Sequence, residues 1–230
     1  SASIGIMMNT SGYNAPDEYL RDADIAMYRA KARGKARYEI FDQTMRDYIM
    51  SRLELDADLR SAIERQELTL YYQPVINLAD QKIVGFESLL RWFHPEKGTI
   101  SPNVFIPIAE ETGLILPLGD WVLQKATKQL SMWQSEIPDA NIHVSVNLSG
   151  KQLVHPDLVD QIENAIQQSS ICSSHLKLEV TESDIINDTE TAAAVLQDIK
   201  QLGVGTQMDD FGTGYSSLSY LHQFPFDVIA

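Results

Sequence analysis

Polar side chains occupy the carboxyl ends of four successive predicted strands: Glu87, Asn147, Glu179 and the adjacent pair Asp209 and Asp210. The carboxyl ends of parallel strands meet on one face of an α/β barrel, so these side chains are expected to converge there. Converging carboxylates repel one another and lose hydration, which a divalent cation relieves. Ligands that are all oxygen favour Mg²⁺, Mn²⁺ or Ca²⁺ over zinc. Since an adjacent Asp pair can serve two ions about 3.5–4 Å apart, the pattern predicts a two-metal site for phosphodiester hydrolysis.

Arg91 lies four residues after Glu87, where its guanidinium fork could bind a substrate phosphate. Each of these residues also has a simpler structural interpretation. Asp209-Asp210 before a glycine is typical of a turn or helix cap, and Asn147 is a common turn residue. Glu182 belongs to a Thr-Glu-Ser-Asp segment that could simply cap the following helix. The metal interpretation is favoured by the concurrence of these residues on four strands.

The charge of the chain narrows the classes of ligand. The 230 residues carry 18 Lys and Arg against 32 Asp and Glu, a net charge of −14, and all of this excess lies in residues 51–230. Such a surface repels a phosphate backbone, so general nucleic-acid binding is not expected, although metal ions would permit a small phosphorylated ligand. Cys172 is the single cysteine, which excludes an internal disulfide and a cysteine-rich zinc site. No apolar run approaches the roughly 18 residues of a membrane helix, so a cytoplasmic location is expected, and a membrane anchor in an N-terminal region of a longer parent protein is left open.

The first part of the chain predicts a fragment of an α/β domain. The sequence predicts a strand at 3–8, a helix that begins at Pro16 and a short strand at 38–41. Residues 1–42 are therefore expected to be the last strand–helix–strand unit of an α/β domain. Apolar residues recur with helical spacing from Gln43 to Gln66 without Gly or Pro. Residues 43–66 are therefore expected to form a connecting helix.

Strands and helices alternate over 67–230, which predicts a mostly parallel sheet with right-handed crossovers. The predicted strands are 70–76, 83–90, 142–148, 176–180, 204–208 and 227–229, and the predicted helices are near 103–112, 118–135, 151–168, 189–202 and 215–222. A complete (β/α)₈ barrel typically takes about 250 residues. The expected fold is an α/β, TIM-like (β/α)₈ barrel that is incomplete, truncated after about six strands.

Several motifs resemble one family. The segment Glu87–Trp92, Glu-Ser-Leu-Leu-Arg-Trp, resembles the signature of EAL domains, the phosphodiesterases specific for cyclic di-GMP. Four further segments resemble other motifs of this family in the same order: Tyr72–Val75, Asn147–Ser149, Glu179–Ser183 and Asp209–Leu218. Residues 1–42, with Ala23–Lys31 and Gly34-Lys35, resemble the end of a GGDEF (diguanylate cyclase) domain, which commonly precedes an EAL domain.

The resemblance implies hydrolysis of cyclic di-GMP to linear pGpG with two Mg²⁺ or Mn²⁺ ions. The implied ligands are Glu87, Asn147, Glu179 and Asp209 for the first ion and Asp210 for the second. Glu182 would hold the loop after Asp210, so that Glu87, Asp209, Asp210 and Glu182 form the implied catalytic set. Gln73 and Arg91 would contact the substrate. A homodimer and upstream sensor domains in a longer parent protein are also implied.

Three departures from the family pattern qualify this function. Ser88 replaces the signature Ala, and the Gly-Gly-Asp-Glu-Phe motif of the cyclase is absent, so synthesis of cyclic di-GMP is not expected. Ala230 stands where the resemblance places a catalytic lysine, and no meaningful turnover is expected of these 230 residues alone. The alternatives are a non-catalytic sensor that binds cyclic di-GMP through Arg91 and Gln73, and a protein-interaction scaffold. The intact ligand set argues against the scaffold.

Overall fold

The computed structural model describes residues 2–8, 15–32, 34–138, 141–186, 188–210 and 224–229. The chain divides into two compact units, Ser1–Asp58 and Leu59–Ala230. Within the described residues, no helix is both long and apolar enough to cross a membrane.

The first unit is built on a strand–helix–strand motif. Strand β1 (Ile4–Ile6) pairs in parallel with β2 (Tyr38–Ile40), and helix α1 (Pro16–Ala32) connects them. A Cβ atom at Gly5 would lie 1.9 Å from the Ala23 carbonyl oxygen, so only glycine permits this close approach of α1 to β1. The strand predicted at 3–8 therefore has a partner within this unit.

A buried ion pair fastens the next helix, α2 (Gln43–Ala62), to α1. Asp22 on α1 is fully buried. Arg46 on α2 donates from Nε to Asp22 Oδ1 at 3.2 Å and makes a second contact to Asp22 Oδ2. Burial of this carboxylate is tolerated because the guanidinium fork engages both of its oxygens.

The second unit contains a seven-stranded sheet. Its strands are β3 (Leu68–Ile76), β4 (Ile83–His94), β5 (Gly98–Ile100), β6 (His143–Leu148), β7 (Leu176–Thr181), β8 (Gly205–Asp209) and β9 (Val228–Ile229). The order is β3-β4-β6-β7-β8-β9, and β5 pairs with β4. The hairpin β3–β4 is antiparallel, as is β4–β5, whereas β4, β6, β7, β8 and β9 are parallel neighbours. The alternating pattern of the sequence thus leads to a mostly parallel α/β sheet. In the part of the chain that is described, β3 and β9 do not pair, so barrel closure is not seen.

Helices cover one face of this sheet. They are α3 (Pro102–Thr112), α4 (Ile115–Glu136), α5 (Gly150–Leu153), α6 (Leu158–Ser169), α7 (Glu182–Ile186) and α8 (Thr189–Gln201), and a 3₁₀ turn spans Ser173–His175. Alternate strand residues such as Val146, Leu178 and Met208 pack into a single core with apolar residues of α4, α6 and α8. The other alternate residues face away from this core.

Three details differ from the expectations. The helix predicted over 151–168 is divided into α5 and α6, because Pro156 has no N–H and disfavours helical geometry at His155. Strand β4 extends to His94 and is followed by the short strand β5, which was not predicted. Glu182 begins a separate short helix, α7, which was not predicted either. The helix predicted at 215–222 lies outside the described residues.

Candidate active site

The candidate site residues lie on the sheet face that points away from the helical core. Glu179 stands on β7 between Leu178 and Val180, which are both buried in the core. Because successive strand side chains alternate between faces, Glu179 projects to the opposite side. The same alternation places Asn147 of β6 and Asp209 of β8 on that side.

Glu87 and Asn147 are in direct contact across the neighbouring strands β4 and β6. The Asn147 side-chain amide donates from Nδ2 to Glu87 Oε1 at 2.9 Å. Gln73 is the register partner of Glu87 in the antiparallel pair β3–β4, so both side chains lie on the same face. Two predicted ligands and one predicted substrate contact are therefore adjacent.

Glu179 lies next to Asn147 in the register of β6 and β7. Burial raises the pKa of the Glu179 carboxyl group, and the negative charges of Glu87 and Asp209 raise it further. A hydrogen bond from the Ser145 hydroxyl opposes this shift. The positive charge of Lys177 also lowers the pKa of Glu179, so this carboxyl group lies among charges of both signs.

Asp209 and Asp210 lie where β8 ends. Asp209 is the last residue of β8 and is the register partner of Thr181 on β7. Its Oδ1 atom accepts a hydrogen bond from the backbone N–H of Asp210 at 2.9 Å. Asp210 has a φ of 56°, in the left-handed region that Asp and Asn tolerate better than most residues.

Arg91 shares the face of Glu87 because it is four residues further along β4. Its guanidinium carbon lies 5.8 Å from the centre of the Tyr71 ring, and Nη1 donates to the carbonyl oxygen of Leu90 at 2.9 Å. Glu182 is the first residue of α7, directly after β7. The loop that Glu182 is expected to hold falls in 211–223, outside the described residues, as does Ala230.

The chemistry of this donor set fits a hard divalent cation. Three carboxylates and one amide, from Glu87, Asn147, Glu179 and Asp209, project from four neighbouring strands. Among the described residues, no three side chains of the His, Cys, Asp or Glu type are close enough together to hold an ion. The structure thus brings Glu87 and Asn147 into hydrogen-bond contact and places Glu179 beside Asn147 on the neighbouring strand.

The sequence patterns missed a layer of polar residues on the same face. Gln207 donates from Nε2 to Glu179 Oε1 at 2.9 Å and accepts from Lys177 Nζ at 3.3 Å, in the amide orientation that satisfies both neighbours. Ser145, Lys177 and Gln207 precede Asn147, Glu179 and Asp209 by two residues each. This period-two spacing is the signal that could have identified them.

Comparison with known proteins shows the family. The sequence matches the EAL domain over residues 56–230. The chain belongs to the EAL-domain family. It is 43% identical over 98% of its length to the bifunctional diguanylate cyclase/cyclic di-GMP phosphodiesterase MucR of Pseudomonas aeruginosa. It is 38% identical over its whole length to the cyclic di-GMP phosphodiesterase PdeR of Escherichia coli. The EAL chain spans about a third of the length of these relatives, 33% and 34%.

Solved EAL structures share the fold. The structure described as a PaMucR phosphodiesterase in complex with c-di-GMP superposes with a TM-score of 0.73 at 44% identity, over 76% of this chain and 71% of that one. The EAL enzyme Bd1971, in a form bound to cAMP and cyclic di-GMP, superposes with a TM-score of 0.75 at 30% identity. That match covers 95% of this chain and 57% of the other. The α/β fold is therefore of the EAL type.

Proposed function

We propose that this chain carries the metal-binding face of a phosphodiesterase that hydrolyses one phosphodiester of cyclic di-GMP to give linear pGpG. The observation that carries the proposal is the convergence of Glu87, Asn147 and Glu179 from three neighbouring parallel strands. Membership of the EAL family, and relatives named as cyclic di-GMP phosphodiesterases, support the choice of substrate.

The proposed roles follow from the placement of the side chains. Glu87, Asn147, Glu179 and Asp209 would hold a first Mg²⁺ or Mn²⁺ ion, and Asp210 would hold a second. Divalent ions supply the Lewis acidity that phosphodiester hydrolysis needs. Asn147 fixes one oxygen of the Glu87 carboxylate through its amide, which orients this carboxylate before any ligand arrives.

Substrate binding is assigned to the strand pair β3–β4. Arg91 presents a guanidinium fork that suits a phosphate, and Gln73 lies beside Glu87 with a side chain that can both donate and accept hydrogen bonds. The carboxylate cluster alone would repel an anionic substrate. Substrate binding is therefore expected to depend on the cation. Glu182 is proposed to hold the loop after Asp210.

The test is hydrolysis of cyclic di-GMP by the protein that contains this chain. In the presence of Mg²⁺, chromatography should detect pGpG, and EDTA should abolish its formation. Glu87→Gln should reduce pGpG to background, whereas Glu136→Gln, on an exposed turn of α4, should leave it unchanged. Metal-independent product, or full activity of Glu87→Gln, would contradict the proposal.

Ala230 favours a second candidate function, because the family resemblance places a catalytic lysine at this position. In this alternative the chain is a cyclic di-GMP sensor that binds through Arg91 and Gln73 without turnover. Binding of cyclic di-GMP without pGpG formation, measured by calorimetry and chromatography on the same preparation, would favour the sensor. Absence of both binding and hydrolysis would contradict both candidates and favour a scaffold.

We further infer that residues 1–42 are the end of a GGDEF domain, that 43–66 connect it, and that 67–230 form the EAL part. The strand–helix–strand motif of β1, α1 and β2 supports an α/β origin for the first segment. MucR, which is named for both activities, aligns with almost the whole chain. A homodimer formed through the EAL part and sensor domains upstream are proposed from family resemblance. Light scattering tests the dimer.

A further inference from the structure

Lys177 and Gln207 form a polar layer directly behind Glu179 on the candidate site face. Lys177 is two residues before Glu179 on β7, and Gln207 is the register partner of Glu179 on β8. The register partner of Lys177 is Gly205, and a Cβ atom there would lie 3.2 Å from Lys177 Cγ. Glycine at 205 therefore leaves the space in which the stem of Lys177 lies against β8.

The hydrogen-bonding groups of Lys177, Gln207 and Glu179 allow only one orientation of the Gln207 amide. A lysine ammonium can only donate, and an ionised carboxylate can only accept. An amide between them has a single orientation that satisfies both, with its oxygen towards Lys177 Nζ at 3.3 Å and its nitrogen towards Glu179 Oε1 at 2.9 Å. Lys177 thus determines which end of the Gln207 amide meets Glu179.

We propose that Lys177 and Gln207 are a positioning pair that orients the Glu179 carboxylate for cation binding. The inference rests on the proposed function, because it takes Glu179 as a cation ligand. Partners of a ligand typically matter about ten-fold or more for metal affinity, since they restrict the ligand to its binding orientation. Lys177 Nζ contacts the amide oxygen of Gln207 at 3.3 Å, so Lys177 acts on the orientation of the Glu179 carboxylate through the Gln207 amide.

The first experiment observes the amide of Gln207 without any metal. In ¹⁵N spectra of the 230-residue chain, the two side-chain NH₂ proton signals of Gln207 should be separated more widely than those of the exposed Gln201, because one of the two protons is hydrogen-bonded to Glu179. Lys177→Met removes the ammonium and keeps most of the stem, and it should shift these signals and draw them together. Lys177→Arg keeps a donor and should retain the separation. Unchanged signals in Lys177→Met would overturn the proposal.

The second experiment measures Mn²⁺ affinity by calorimetry on the same chain. Gln207→Leu should weaken Mn²⁺ binding about ten-fold, with Gln201→Leu on the exposed end of α8 as the matched control. If Gln207→Leu does not fold, as judged by circular dichroism, Gln207→Met replaces it. Equal affinity of a folded Gln207 variant and the wild type would overturn the positioning role.

The two experiments separate failure of this inference from failure of the proposed function. If the wild type binds no Mn²⁺, the proposed metal site fails. The role of the pair in cation binding fails with it, and the amide signals of Lys177→Met then decide only whether Lys177 orients the Gln207 amide. If the wild type binds Mn²⁺ and only the variants behave contrary to expectation, the proposed function survives and the pair does not.

Discussion

The two faces of strands β6, β7 and β8 use adjacent residues for opposite purposes. On one face Val146, Leu178 and Met208 are buried against helices. On the other, Glu179 and Gln207 lie in a polar layer where burial and neighbouring charges disfavour the ionised carboxyl group. Because side chains alternate with a period of two, one strand can stabilise the fold with every second residue and carry chemistry with the rest. Burial of the apolar side chains on one face therefore offsets the free-energy cost of burying polar groups on the other.

The largest expected effect comes from the apolar face. Leu178 has no exposed surface, so Leu178→Ala leaves a cavity in the core. The free energy of unfolding should fall by about 3 kcal/mol, the middle of the range for such truncations. Urea denaturation of the 230-residue chain measures it. A loss below about 1 kcal/mol, no larger than the change expected for Glu179→Gln one residue away, would show that the two faces do not differ in this way.

A smaller effect is expected where the polar face is tightly packed. A Cβ atom at Gly85 would lie 2.5 Å from Nε2 of His143, its register partner, so the imidazole ring has to shift to admit a methyl group. Gly85→Ala should lower the free energy of unfolding by about 2 kcal/mol through overpacking. In the double variant with His143→Ala the two effects should not add, and coupling of at least about 1 kcal/mol is expected. Strict additivity would show that the ring does not occupy this space.

The same histidine should make the polar face sensitive to acid. Burial, followed by the charge of Lys177, lowers the pKa of His143 from 6.5 to about 4. As the pH falls, His143 is protonated in the unfolded chain before it is protonated in the folded one. The contribution of neutral His143 to the free energy of unfolding is therefore fully present above pH 6.5 and declines as the pH falls towards 4. Between pH 7 and pH 5 the wild type should lose about 1 kcal/mol more than His143→Gln, after allowance for solvent screening. If the urea midpoints of the wild type and His143→Gln fall equally between pH 7 and pH 5, His143 is not the group responsible.

The smallest effect has the opposite sign. The folded-state pKa of Glu179 is raised, chiefly by burial, so its contribution to stability is present at low pH and is lost as the pH rises through that pKa. Near neutral pH and in EDTA, Glu179→Gln should therefore raise the free energy of unfolding by less than about 1 kcal/mol. Thermal melts at pH 7 measure the change. A destabilised Glu179→Gln would mean that the carboxylate is a net stabilising group.

Sequence patterns predict the strands of the site face because apolar alternation and flanking polar residues are local signals. Glu87, Asn147 and Glu179 are identifiable for that reason. Gln207 is not, because its bond to Glu179 depends on the register between β7 and β8, which is a tertiary property. The division of the predicted helix at Pro156 was available from local chemistry, whereas the pairing of β5 with β4 depends on long-range contacts.

Asp210 has an evolutionary consequence because two demands meet at one position. Its φ of 56° favours Asp, Asn and Gly over most other residues. Of these, only Asp carries the charge that the proposed second ion requires. A lineage that abandons hydrolysis while keeping the fold should therefore drift to Asn or Gly at this position. The residue at position 210 would then distinguish catalytic EAL domains from family members that have lost hydrolytic activity.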